Sequence, residues 1–326
     1  MSWLKSGVDS DNSLLGIEDV PSGRTHLVCP YCGGSLTAKK GRIKEHHFAH
    51  TEETCQSVCQ RRGGEIPALP LYDSFNIQLS KKDLSELKRF WERYGRHNYG
   101  IPNYPACSSL ERAGMLRWNE YHRGSSSWGA YEFTKLGLIP VGGLSLNLFN
   151  SLQSPMLLEK LQELELKAHD GLGITAPDDP SLPIYLTDLR LYRTQLRRVL
   201  AQTLYYLEVR SDGQTFYKVG VTTRKINERV EEVKGELLHH FQAVEIKVLG
   251  TWQHRGNVEK YFKYRYQRFN YPIGTLSEYY KFDNVNDAKG VLRDLRRMKP
   301  KVLNQDEIDV LEGKAQFCRN CGKSRT

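Results

Sequence analysis

The chain has 326 residues, enough for two or three domains that each bury a core of their own. Its 47 Lys and Arg outnumber 38 Asp and Glu, a net charge of +9 that suits a polyanionic partner through counterion release. The sequence shows no apolar run of about 18 residues and no apolar leader with a small-residue cleavage site, which excludes a helical membrane span and makes a soluble, cytoplasmic protein the expectation.

Residues 1–25 are polar and aperiodic, and read as an irregular lead-in. Seven cysteines follow, six of them in the close pairs Cys29/Cys32, Cys55/Cys59 and Cys318/Cys321, with Cys107 apart. In a reducing compartment such pairs favour metal ligation over disulfides. Cys29 and Cys32 sit on a Gly-rich turn, and His47 and His50 follow at zinc-ribbon distance. Thiolates and imidazoles suit tetrahedral zinc, a borderline-soft ion that takes both at similar radii. The expected ligands are Cys29, Cys32, His47 and His50, with Cys55 or Cys59 as alternatives. The run Cys29-Pro30-Tyr31-Cys32, a basic turn, then His47-Phe48-Ala49-His50 resembles the N-terminal zinc module of CoiA-like competence proteins, and the resemblance implies a DNA-associated setting.

Residues 61–82 read as a connector. Leu84, Leu87, Trp91 and Tyr94 then recur at helical spacing from a cap near Ser80. A short helix capped by Ser108 and ended by Gly114, a strand over 115–122, a turn at 124–127 and a returning strand over 131–134 complete the region. That order resembles the winged helix of MarR-like DNA-binding domains, down to Tyr131-Glu132-Phe133-Thr134 before Gly137. The resemblance implies that Arg112 approaches a major groove and Arg123 a phosphate. A β-hairpin packed on helices as a spacer is the alternative reading of the same residues.

Two helices broken by a loop over 171–183 occupy residues 151–200. In the second, Leu186, Leu189, Leu196 and Leu200 fall near one face, and Arg190, Arg193 and Arg197 line another, as a phosphate track or a solvated face.

From Thr203 the pattern changes. Strands over 204–209 and 215–221 flank the turn Ser211-Asp212-Gly213-Gln214, and alternation sends Tyr205 and Leu207 to one face, Leu204 and Tyr206 to the other. Ile226, Val230, Val233 and Leu237 form a helical apolar stripe with Arg229 beside it. A further helix over 257–269 carries Phe262, Tyr266 and Phe269, and stepping back along that stripe reaches Glu259. A carboxylate there must pair with a cation or hold one.

These residues resemble the GIY-YIG endonuclease superfamily, in particular its phage-type branch whose second motif begins with Lys. Thr203-Leu204-Tyr205 matches the first motif and Lys218-Val219-Gly220 the second, with Arg229, Glu259 and the closing Glu278-Tyr279-Tyr280 in family order. Thr203 stands where relatives have Gly, and Lys218 where most have Tyr, so the second-motif residue is open between Tyr217 and Lys218. The resemblance implies phosphodiester hydrolysis of DNA, double-stranded first, with RNA as a further substrate class. It implies Glu259 as ligand to Mg²⁺ or Mn²⁺, Tyr205 as general base with its pKa lowered by metal and cations, and Arg229 and Lys218 as charge stabilisers, with Lys263 toward phosphate.

The expected architecture is an α+β multidomain chain: a zinc-binding module (1–66), a winged-helix-like region (67–150), a helical linker (151–200), a GIY-YIG nuclease domain with a small antiparallel sheet flanked by helices (201–300), and a tail with Cys318/Cys321 (301–326). A catalytically silent DNA-binding or regulatory protein on the same fold is the competing reading. Oligomeric state is open.

Overall fold

The computed structural model describes residues 4, 6–10, 14–41, 46–52, 81–123, 128–173 and 182–314. The fold is mixed α/β with antiparallel sheets. Strands β1 (Ser6–Val8), β2 (Leu14–Gly16), β3 (Gly23–Val28), β4 (Ser35–Lys39) and β5 (His47–His50) form a five-stranded sheet in the order β2-β1-β3-β4-β5. The lead-in is therefore not irregular. Its strands are only three residues long, too short to show a period of 2, and tertiary contact fixes them. At Gly7 an added Cβ would stand 3.0 Å from the Leu27 Cβ, so a larger residue there would make Leu27 and Leu36 give way by a few tenths of an ångström. The core beneath is Ile17, Leu27, Leu36, Ala38 and Phe48.

Next come α1 (Lys81–Arg93), α2 (Cys107–Arg112), the antiparallel pair β6 (Leu116–Arg123) and β7 (Trp128–Phe133), and α3 (Lys135–Leu138). The helix-then-ribbon order follows expectation, with two local differences. Ala106, not Ser108, holds the N-cap of α2 and makes no side-chain cap bond. In α1 the buried residues are Leu84, Leu87 and Phe90, while Trp91 packs edge-on against Phe133 at 5.5 Å. Gly114, at φ +70°, turns the chain from α2 into β6.

Helices α4 (Phe149–Gly173) and α5 (Leu182–Ala201) follow. Leu189, Leu196 and Leu200 are buried on α5 as the spacing predicts, but Leu186 is 43% exposed. The Tyr192 hydroxyl donates to the Leu157 carbonyl at 2.6 Å.

The last region holds β8 (Thr203–Ser211), β9 (Gln214–Thr222), α6 (Ile226–Leu238), β10 (Glu245–Trp252), α7 (Val258–Arg265), β11 (Tyr279–Tyr280), α8 (Val285–Arg296) and α9 (Gln305–Glu312). Its sheet runs β10-β8-β9-β11. Asp212 and Gly213 both have positive φ, 47° and 73°, the pair a two-residue type I′ hairpin requires. Alternation holds as read: Leu204, Tyr206, Tyr217 and Val219 pack toward Phe262 of α7 and Val291 and Leu295 of α8. Tyr205, Leu207, Val209 and Phe216 pack toward Val233 and Leu237 of α6 on the opposite face. Helix α7 ends at Arg265, four residues short of the expected helix, and Gln267–Phe269 is a 3₁₀ turn. The segment after residue 300 is not all tail, because Asn304 and Glu307 form a reciprocal capping box that starts α9.

The chain divides into two units: Met1–Ser74 with Leu157–Leu196, and Phe75–Met156 with Arg197–Thr326. The expected five-part division differs from this, because the stretch read as a linker is shared between both units. Cys55, Cys59, Cys318, Cys321 and Ser80 lie outside the described residues. Among the described residues no helix is long and apolar enough to cross a membrane.

Candidate functional site

The first cluster is built on a turn and a strand end. Between β3 and β4 the Cys29 carbonyl accepts from the Gly33 amide at 2.9 Å, and Gly33 takes the left-handed φ of +71° that closes the turn. This brings Cys29 and Cys32 to one place. Strand β5 delivers His50, whose Nε2 is 3.2 Å from the Cys32 Sγ. The ligand atoms of Cys29, Cys32 and His50 all lie within 4.8 Å of one another.

His47 is not in this group, and strand geometry gives the reason. Residues three apart on a strand point to opposite faces. His50 sits opposite Leu36 on the core side, whereas His47 sits opposite Lys39. The pattern of two histidines flanking Phe48-Ala49 would suit two ligands on a helix, but on a strand it supplies one. Two soft thiolates and one imidazole, converging at a half-buried turn, fit zinc as three of its four ligands.

The second cluster lies on the α6 face of the C-terminal sheet. Arg229, held on α6, donates from Nε to the Tyr205 hydroxyl at 3.3 Å and from Nη1 to Glu232 at 2.8 Å. Tyr205 is directly opposite Gly220 in the β8–β9 register, and a Cβ at Gly220 would run into the Tyr205 hydroxyl. On β9, Lys218 shares this face, with its ammonium 4.5 Å from the Tyr279 ring centroid. Helix α7 contributes Glu259 and Lys263, whose charged atoms are 3.5 Å apart. Glu278, just before β11, ties the parts together by accepting from Lys218 at 3.1 Å and from Lys263 at 2.9 Å.

Contacts thus link Tyr205 to Arg229, and Lys218 to Glu278, Lys263 and Glu259. Tyr217 faces the other way and stacks on Tyr206 at 5.6 Å. Neighbouring residues on a strand alternate faces, so Lys218 and not Tyr217 shares the Tyr205 face of the sheet. Lys263 does not extend toward solvent phosphate but pairs with Glu278 and Glu259. Glu278 is the member that the residue pattern alone did not assign to the site. Its family-like position before Tyr279-Tyr280 was the available signal.

Burial pushes the Tyr205 phenol up to about 12, with the Arg229 guanidinium opposing it only in part. The lowered value expected of a general base depends on a bound metal as well as on cations, and with these protein partners alone Tyr205 is a neutral hydroxyl at ordinary pH. Burial also acts to raise Glu278, but Lys263 and Lys218 overcome it and hold its carboxyl down at about 2. Burial works against the charge on Arg229, and its bonds to Tyr205 and Glu232 outweigh that and raise its pKa. Glu259, 14% exposed at its side chain, lies 3.5 Å from the Lys263 ammonium, farther than the 2.9 Å from Lys263 to Glu278.

Residues 18–58 match the family model for the N-terminal domain of competence protein CoiA. The match spans both halves of the Cys/His cluster and does not reach the C-terminal sheet. No curated protein and no solved structure matches the chain.

The remaining predicted contacts are dispersed. Arg193 is paired with Glu165 at 3.0 Å, so the arginine row on α5 is not an open track. Arg190, three residues before Arg193, falls on the same side of the helix, and Arg197 lies near Gly313. Arg112 ends α2 and Arg123 ends β6, and their side chains lie outside the described residues.

Proposed function

We propose that residues 203–299 form a GIY-YIG-type phosphodiesterase site acting on DNA, and that a zinc-bearing N-terminal module and a winged-helix-like region with Arg112 and Arg123 contribute DNA binding. The observation that carries this reading is the Arg229 to Tyr205 contact at 3.3 Å, on the sheet face that Lys218 shares. The CoiA match over residues 18–58 supports a competence-related, nucleic-acid-associated setting for the chain.

Arg229 keeps its charge across the working pH range and places a forked donor where a phosphoryl oxygen gathers charge. Tyr205 keeps its proton and accepts from Arg229, which leaves the phenolic O–H to donate to a water or phosphate oxygen. Lys218 is only 3% exposed, so it acts through Glu278 and the Tyr279 ring and positions the site electrostatically. Glu259 would hold one Mg²⁺ or Mn²⁺, which when bound supplies Lewis-acid stabilisation of the leaving oxygen. Three donors in the N-terminal cluster would hold structural Zn²⁺, with Cys55 or Cys59 completing the set.

The test is nicking of supercoiled plasmid by the purified full chain with Mg²⁺. Wild type should cut, and Glu259→Gln should not, while both bind DNA alike. Absence of cleavage by wild type on duplex, single-stranded and branched DNA and on RNA would instead leave a binding protein that keeps the fold as a scaffold.

A further inference from the structure

On the other face of the C-terminal sheet, Arg265, Arg268, Arg293 and Arg297 line a recess of about 490 Å³ between the residue 142–145 loop, α7 and α8. A neighbouring hollow of about 360 Å³ is lined by Lys289, Arg293, Arg296 and Arg297. Positions 289, 293, 296 and 297 fall on one side of α8, because helical neighbours recur three and four residues apart. Arg265 is committed to structure, since its Nη1 donates to the Ile139 and Leu144 carbonyls at 2.8 and 2.5 Å.

The other charges are not balanced locally. Among the described residues none of Arg268, Arg293 and Arg297 has a carboxylate within ion-pair distance. Asp294, which also lines the recess, is already committed to the Ser145 hydroxyl and to the Leu146 and Asn147 amides. Asp287 accepts from the Asn284 side chain at 2.9 Å. Basic residues in the last turn of α8 favour that helix through its dipole, but this does not account for Arg268, which comes from the 3₁₀ turn after α7 and stacks its guanidinium 4.4 Å over Phe269. Like charges from separate elements converging on one concave surface are the footprint of a polyanion.

We propose that this surface, with Arg268, Arg293 and Arg297 as its contacts, binds the phosphate backbone of a stretch of nucleic acid distinct from the one at the cleavage site. The inference rests on the nucleic-acid reading above but not on cleavage. Helix α8 packs on the Tyr206 face, whereas Tyr205 and Arg229 occupy the opposite face. The recess and the Tyr205–Arg229 pair therefore lie on opposite faces of the C-terminal sheet.

The experiment measures affinity of the full chain for a labelled random-sequence duplex across a salt series. In the triple variant Arg268→Gln, Arg293→Gln, Arg297→Gln, the slope of log K against log salt should fall by about one per contact, about three in all. The triple Arg→Lys variant should keep the wild-type slope, which separates charge from packing. An unchanged slope in the glutamine variant, an equal loss in the lysine variant, or no duplex binding by wild type would each overturn the proposal. So would a glutamine variant that loses only binding of inorganic phosphate. A wild type that binds with the expected slope difference but never cuts would sink the nuclease reading and leave this one standing.

Discussion

The Lys218 ammonium lies 3.1 Å from a Glu278 carboxylate oxygen, across 60 positions of sequence. Lys263 reaches the other oxygen of the same carboxylate at 2.9 Å, so one acid compensates two cations at the edge of the sheet.

Acid stability should report this arrangement. The Glu278 carboxyl is held at about 2 in the folded chain against an ordinary 4.5. A depressed folded value means that the stabilisation is present above pH of about 4.5 and is lost as pH falls toward 2. Thermal melting of Glu278→Gln should be lowered most near neutral pH and converge on wild type in strong acid. A constant offset at all pH values would contradict the assignment.

Gly220→Ala should damage the site more than the fold. The new methyl would meet the Tyr205 hydroxyl, which must move away from Arg229. Overpacking of this kind typically costs about 1–3 kcal/mol. The expected result is a folded chain by circular dichroism with nicking reduced far beyond what its melting shift explains. Wild-type nicking by this variant would show that the Tyr205 position is immaterial.

Zinc content should separate the two histidines. His50→Ala and Cys32→Ser should lose metal by elemental analysis of the purified protein, while His47→Ala should keep the wild-type amount. The reverse order would place His47, not His50, on the metal.

Lys301 and Glu307 form a pair 2.6 Å long with side chains only 9% and 6% exposed. Removing one partner strands a buried charge, which typically costs about 3–5 kcal/mol. Glu307→Ala should therefore lower the denaturation midpoint by that order, and the double change Lys301→Met, Glu307→Leu should recover much of it. Equal damage in the single and double variants would argue against charge burial as the cause.

The C-terminal hairpin was legible because two local signals agreed there: the Asp212-Gly213 turn and strict alternation on both flanks. The same alternation places Tyr205 and Leu207 on one face of the sheet. Glu278 could not be placed this way, because its partners are set by strand pairing across the sheet and not by any local period. His47 was misassigned since Cys/His spacing says nothing about strand or helix, and only the strand turns it away. Ser6–Val8 and Leu14–Gly16 were missed because three residues carry no periodicity. The basic recess beside α8 was missed too, since its arginines come from separate elements.

Both units are interrupted in sequence, the first resuming at Leu157 and the second at Arg197. On the ribosome, the whole of the first unit therefore emerges before β8 and β9 do. The Cys29, Cys32 and His50 cluster is therefore complete in the chain before the strands bearing Tyr205 and Lys218 are made, and the elements bearing Arg229, Glu259 and Glu278 come later still. Neither unit can be excised as a single continuous fragment, and a truncation placed at any one peptide bond between Leu157 and Leu196 divides the first unit as well as the second.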